Sequence, residues 1–205
     1  TALVTPFRNG EIDFEAFDAL VERQLQAGVR GLVPVGTTGE AATLSEEEAD
    51  QVIRRTVSLS AGRAMVVAGA GSNSTAHAIV KARRAQAAGA DGLLVVTPYY
   101  NKPTQAGLIE HFQAVCESTE LPVMLYSVPG RCGVEIATST CARLRDACWN
   151  VAAIKEAGAR IMEGYDIISG AGLGQIKADL NAAPPEVLAW TRSMLTSKFG
   201  VRFDT

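Results

Sequence analysis

"GLLVVTPYYNKPTQAGLIEHFQAVCESTELPVMLYSVP", residues 92–129, holds the pattern that decides the fold. An unbroken apolar run, GLLVV, leads into a helical segment, TQAGLIEHFQAVCEST (104–119), and a second unbroken run, PVMLYSVP, follows. Apolar runs without alternation are those of strands covered on both faces. Strand, helix and strand in this order form a parallel βα unit.

The same rhythm extends in both directions. Upstream, ALVTPF (2–7) precedes DFEAFDALVERQLQAG (13–28), where Phe14, Phe17, Leu20, Val21 and Leu25 recur at helical spacing. Asp13 is the expected N-cap and Gly28 the C-terminal stop. GLVPVG (31–36) reads as the next strand, and SEEEADQVIRRTVSLSAG (45–62) as a helix opened by a Ser45–Glu48 capping box. AMVVAGAG (64–71) leads into STAHAIVKARRAQAAG (74–89). Downstream, ATSTCARLRDACW (137–149) is helical and VAAIKEAG (151–158) is the sixth strand.

Parallel βα units close into a (β/α)8 barrel or lie open as a doubly wound sheet. The first strand–helix turn, PFRNGEID (6–13), lacks the GxGxxG of a dinucleotide fold. The expected fold is therefore an α/β TIM barrel, with its first six βα units in residues 1–158. Residues 159–205 depart from the rhythm. YDIISGAG (165–172) resembles a strand, yet only residues 159–164 separate it from VAAIKEAG, and a parallel crossover takes about a dozen residues or more. LGQIKADLNA (173–182) and PPEVLAWTRSMLTSKFG (184–200) read as helices, and VRFDT (201–205) is a thin eighth strand. The barrel is thus expected to be incomplete or shortened after strand 6. The opening TALVTPF reads as a strand already under way, so further residues are expected upstream.

Composition narrows the function. The 205 residues are 47% hydrophobic and 20% charged with net charge −3, a balance that gives no electrostatic reason to expect nucleic acid or an anionic membrane as partner. Four cysteines without a CxxC and two histidines argue against a zinc or disulfide framework, and for a cytoplasmic protein. No apolar run reaches the ~20 residues that span a bilayer.

The strand ends, where a barrel keeps its reactive groups, read TPF, GTTGE, GAGSN, TPYYN, YSVPGR and IKEA. Hydroxyls, glycines and one lysine suit carbonyl chemistry by an amine with hydroxyl proton carriers, not metal-assisted hydrolysis. Lys155 lies inside an apolar strand and admits three readings: a snorkelling surface residue, a partner of Glu156, or a buried amine. Alternate strand residues face opposite ways, which disfavours the Glu156 pair. A lysine of pKa about 10.4 is almost wholly protonated at pH 7, and burial at a barrel mouth offsets part of that deficit.

VGTTGEAATLSEEE (35–48), TPYYNKP (97–103), YSVPGR (126–131) and AIKEA (153–157), in this order and spacing, resemble the dihydrodipicolinate synthase branch of the N-acetylneuraminate lyase group of pyruvate-dependent class I aldolases. The resemblance covers residues 1 to about 158. It implies that Lys155 forms the Schiff base, that Tyr126 shuttles protons, and that Thr37 and Tyr100 complete a relay, Tyr100 from a neighbouring subunit. It further implies that Thr38 holds the keto-acid carboxylate and that Arg131 clamps the second substrate. The reaction implied condenses pyruvate with aspartate 4-semialdehyde, without cofactor or metal, in a homo-oligomer (dimer or tetramer). Arg131 separates this reading from an aldolase or lyase for a 2-keto-3-deoxy sugar acid or 4-hydroxy-2-oxoglutarate. A further alternative is an inactive truncated barrel.

The chain departs from the family pattern at three places. Ser127 stands where Asn is common, Cys132 where Thr is common, and Ala171 and Gly172 where acidic residues follow the glycine matched by Gly170. The resemblance also implies lysine feedback in many relatives, through a glutamate and a histidine whose places here are taken by His77 and Ala49. Insensitivity to lysine is expected.

Overall fold

Segment 1–5 runs beside the strand that follows it in the sheet. In the computed structural model, which describes residues 1–158, Val33 N–H donates to the Thr1 carbonyl (2.8 Å) and Leu3 N–H to the Val33 carbonyl (3.0 Å). This makes a parallel bridge between Ala2 and Val33. A small antiparallel hairpin follows, β1 (Phe7–Arg8) with β2 (Glu11–Ile12). The main sheet is β3 (Gly31–Leu32), β4 (Met65–Gly69), β5 (Gly92–Val96), β6 (Val123–Ser127) and β7 (Val151–Glu156). They are hydrogen-bonded in chain order and all parallel.

Between successive strands lie α1 (Phe14–Gln26), α2 (Glu46–Ser60), α3 (Thr75–Ala87), α4 (Gln105–Cys116) and α6 (Thr138–Ala147), with a one-turn helix, α5 (Pro129–Cys132), preceding the last. A doubly wound sheet reverses its strand order at a switch point. This order never reverses, as barrel closure requires. The described residues hold six parallel strands of a TIM barrel and the five helical connections between them, segment 1–5 supplying the first strand. The expectations for residues 159–205 lie outside the described residues.

Local signals account for most boundaries. Asp13 caps α1 through Ala16 N–H (3.1 Å), and the Ser45–Glu48 capping box opens α2. Ser74 and Thr104 cap α3 and α4. The strand read as 31–36 is regular only at Gly31–Leu32. Pro34 has no N–H to give the ladder, and Val35 turns the backbone to φ +54°, a conformation rare for a β-branched residue. The PFRNGEID turn is a hairpin because Asn9 (φ +55°) and Gly10 (φ +87°) both adopt positive φ. Asn-Gly is the dipeptide that favours such a tight reversal, a local signal that hydrophobic periodicity does not carry.

The sheet is covered on both faces, as its unbroken apolar runs predict. Toward the helices, Leu32, Leu93, Val95, Val123 and Leu125 pack with Phe17, Val52 and Phe112 in the larger core. On the inner face, Val67, Leu94 and Tyr126 form a second cluster with Val128 and Cys132. The β6–β7 ladder carries a one-residue register shift: Val123 faces Val151, but Met124 faces Ala153.

Candidate active site

Beyond that shift, Tyr126 and Lys155 are direct cross-strand partners, so their side chains leave the sheet on the same side. Tyr126 belongs to the inner cluster and is 6% exposed. Lys155 therefore also faces inward, its Nζ 4.2 Å from the centre of the Tyr126 ring. It is half-buried, less enclosed than the sequence reading expected. Glu156 takes the opposite face: its charge, after burial, raises the Cys141 thiol of α6 to about 11. The two neighbours thus point apart, which removes the ion-pair reading of Lys155.

Thr37 and Thr38 stand exposed on a 3₁₀ turn, Thr37–Gly39, directly after the second barrel strand. The first strand fixes this turn. The buried Thr5 hydroxyl donates to the Gly39 carbonyl (2.8 Å), and a Cβ on Gly39 would come within 3.0 Å of the Leu3 carbonyl oxygen. The turn is also tied to β4, because a Cβ on Gly69 would lie 1.9 Å from the Val35 carbonyl oxygen. Thr5 appears among the strand-end residues of the sequence, but its role as a strut shows only when segment 1–5 and the GTTGE turn are seen side by side.

Arg131 is exposed on α5. Pro129 starts this turn and Gly133 (φ +72°) ends it, its N–H donating to the Pro129 carbonyl (2.8 Å). The next residue, Cys132, is buried in the same cluster as Tyr126, so the turn that carries Arg131 is anchored beside that tyrosine, directly after β6. Gln105 braces the segment after α5, donating to the Glu135 carbonyl (2.9 Å) and accepting from Ala137 N–H (3.0 Å) and the Thr140 hydroxyl (2.7 Å). Nothing in the sequence pattern marks Gln105 out.

Tyr100 is 89% exposed, on the loop between β5 and α4. His77 is exposed in the first turn of α3, its N–H on Ser74 Oγ (3.4 Å). Among the described residues no cluster of three or more His, Cys, Asp or Glu could hold a metal ion, and no helix is long and apolar enough to cross a membrane.

A parallel βα sheet with one inward lysine, set against a tyrosine at the strand ends, defines the barrel class that presents an amine and a phenol together. Residues 1–172 match the family model described as Dihydrodipicolinate synthetase family. The chain belongs to that family. It is 51% identical over 172 residues to the 4-hydroxy-tetrahydrodipicolinate synthase of Oleidesulfovibrio alaskensis, a stretch covering 84% of this chain and 59% of the relative. It superposes with TM-score 0.80 and 44% identity on a chloride-inhibited dihydrodipicolinate synthase from Acinetobacter baumannii complexed with pyruvate, covering 82% of this chain and 58% of that one. A monomeric dihydrodipicolinate synthase variant superposes with TM-score 0.77 and 46% identity, covering 78% and 53%. The chain thus spans somewhat over half the length of these relatives.

Proposed function

We propose that the protein is a Schiff-base condensing enzyme that joins pyruvate to aspartate 4-semialdehyde, giving 4-hydroxy-tetrahydrodipicolinate for lysine and diaminopimelate synthesis. The observation that carries this reading is Lys155 facing inward over Tyr126. The neutral Lys155 amine adds to the ketone carbon of pyruvate, and the carbinolamine loses water to leave an imine. Loss of a methyl proton gives the enamine, whose carbon attacks the aldehyde. The product amine then attacks the imine carbon, closing the ring and freeing Lys155. The protonated imine nitrogen is the electron sink for these steps.

In this reading Tyr126 moves protons to and from the carbinolamine oxygen, with Thr37 and a neighbouring subunit's copy of Tyr100 behind it in the relay. Thr38 holds the pyruvate carboxylate, and the planar fork of Arg131 takes the carboxylate of the second substrate. The exposure of Tyr100 on its own chain supports a role in a second copy, hence a homo-oligomer. The place of action is the cytoplasm. Lysine is not an effector, since His77 cannot offer the anion that an ammonium requires. His77→Glu should introduce inhibition by lysine, and strong inhibition of the unmodified protein would refute this assignment.

The central test is borohydride reduction in the presence of pyruvate. One reduced adduct is expected, on a peptide containing Lys155, and Lys155→Ala should abolish it with the circular-dichroism spectrum unchanged. An adduct on Lys102 or Lys177 instead would refute the assignment. Faster cleavage of a keto-deoxy sugar acid than condensation of the semialdehyde would refute the substrate choice.

A further inference from the structure

Tyr100 has a backbone that needs holding. Its φ is +71°, and Asn101 N–H donates to the Tyr99 carbonyl (2.9 Å), closing a three-residue turn around it. A γ-turn with positive φ at its centre is rare and strained, and a bulky aromatic is poorly suited to it. At 89% exposure the Tyr100 side chain gains little packing from its own chain to offset that strain. Strained conformations of this kind persist only where surrounding structure enforces them, and they concentrate at functional sites.

The enforcing contact is the next residue. Asn101 Nδ2 donates to the Asn73 backbone carbonyl (2.8 Å), and Asn73 Nδ2 returns a longer bond to Asn101 Oδ1 (3.4 Å). Asn73 lies between β4 and α3, on a segment that is itself pinned. Gly71 passes so close to β5 that a Cβ there would fall 2.5 Å from Val96 N. The buried Ser72 hydroxyl accepts from Ser74 N–H (3.1 Å), and the Thr75 hydroxyl is 2.9 Å from His111 Nδ1 on α4. Asn101 thus leans on a carbonyl that cannot follow it.

We infer that Asn101 is the positioning residue for Tyr100: its amide, locked to the Asn73 carbonyl, holds the strained turn that sets the phenol's direction. This rests on the relay role proposed for Tyr100. Because the shorter bond runs to a backbone oxygen, the clamp depends on the side chain of Asn101 far more than on that of Asn73.

The test is a double-mutant cycle in the full-length protein, read by steady-state kinetics and amide hydrogen exchange. Asn101→Ala should lower kcat by about tenfold or more while KM for pyruvate stays within about twofold. Asn101→Asp, which replaces the donor with a second acceptor against the carbonyl, should be at least as slow, and Asn73→Ala should keep most of kcat. Adding Asn101→Ala to Tyr100→Phe should cost little more than Tyr100→Phe alone, because both act through one phenol. Exchange should rise in the peptide 97–104 and not in β6 or β7. If Tyr100→Phe slows turnover but Asn101→Ala does not, or the two effects multiply, the clamp is refuted and the relay stands. If Tyr100→Phe has no effect, the relay role fails and the inference with it.

Discussion

Lys155 sits over the face of the Tyr126 ring, 4.2 Å from its centre, because the two are register partners on adjacent parallel strands. The amine therefore lies against the ring face, and the hydroxyl is left for other work. The phenylalanine variant separates these contributions. Tyr126→Phe should leave the ring contact and thermal stability nearly intact, and should slow imine formation with pyruvate by about 10²–10⁴-fold, the range for losing a proton carrier. Stopped-flow or quench measurement of adduct formation reads this directly. An unchanged rate would remove Tyr126 from the proton path.

Arg131 stands on a turn whose neighbour Cys132 anchors in the Tyr126 cluster, so it can be removed without disturbing the amine. Arg131→Ala should weaken use of the aldehyde substrate by about 1.5–3 kcal/mol in kcat/KM, the worth of a charged hydrogen bond, while adduct formation with pyruvate alone survives. Equal loss of both activities would place Arg131 on the pyruvate side.

Gly69 packs against the backbone leading into the turn that carries Thr37 and Thr38, and Gly130, on α5, is its unconstrained counterpart. A methyl at Gly69 would drive into the Val35 carbonyl, whereas nothing lies within 4 Å of one at Gly130. Gly69→Ala should cost about 3 kcal/mol or more in denaturant unfolding, and Gly130→Ala should stay within about 0.5 kcal/mol. Equal stability of the two variants would mean that the strand-end backbones are looser than they stand.

His111 gives stability a pH slope. Burial between α3 and α4 holds its pKa below the ordinary histidine value. The unfolded chain thus takes up a proton first. Its contribution is full above about pH 6.5 and is lost as pH falls from there through the lowered folded value. Urea midpoints measured from pH 7.5 to 5 should fall less steeply for His111→Gln than for the wild type. A parallel pair of curves would assign the slope to other groups.

The sequence displayed the parallel barrel plainly, because buried parallel strands must be apolar on both faces and helix caps are local. It was less informative where backbone conformation overrides composition. Val33 to Gly36 remain apolar enough to read as strand, yet Pro34 and the positive φ of Val35 end the ladder. The candidate site residues stand out as motifs, and Lys155 as an anomaly within an apolar run. Their supports do not. Thr5, Asn101 and Gln105 act across 34, 28 and 30 to 35 residues of chain, through contacts that only the folded backbone creates.

The extra residue in β7 turns strand register into a counting device. Were Val123 and Val151 followed by an unbroken ladder, Ile154 would stand opposite Tyr126 and Lys155 opposite Ser127, on the helix side. The amine reaches the mouth because the chain spends one residue, near Ala152, without advancing along its neighbour. For this stretch a change in length outranks a change in chemistry. Most substitutions at Ala152 leave the count alone, while its deletion would move the amine to the wrong side of the sheet with every side chain of the site still encoded.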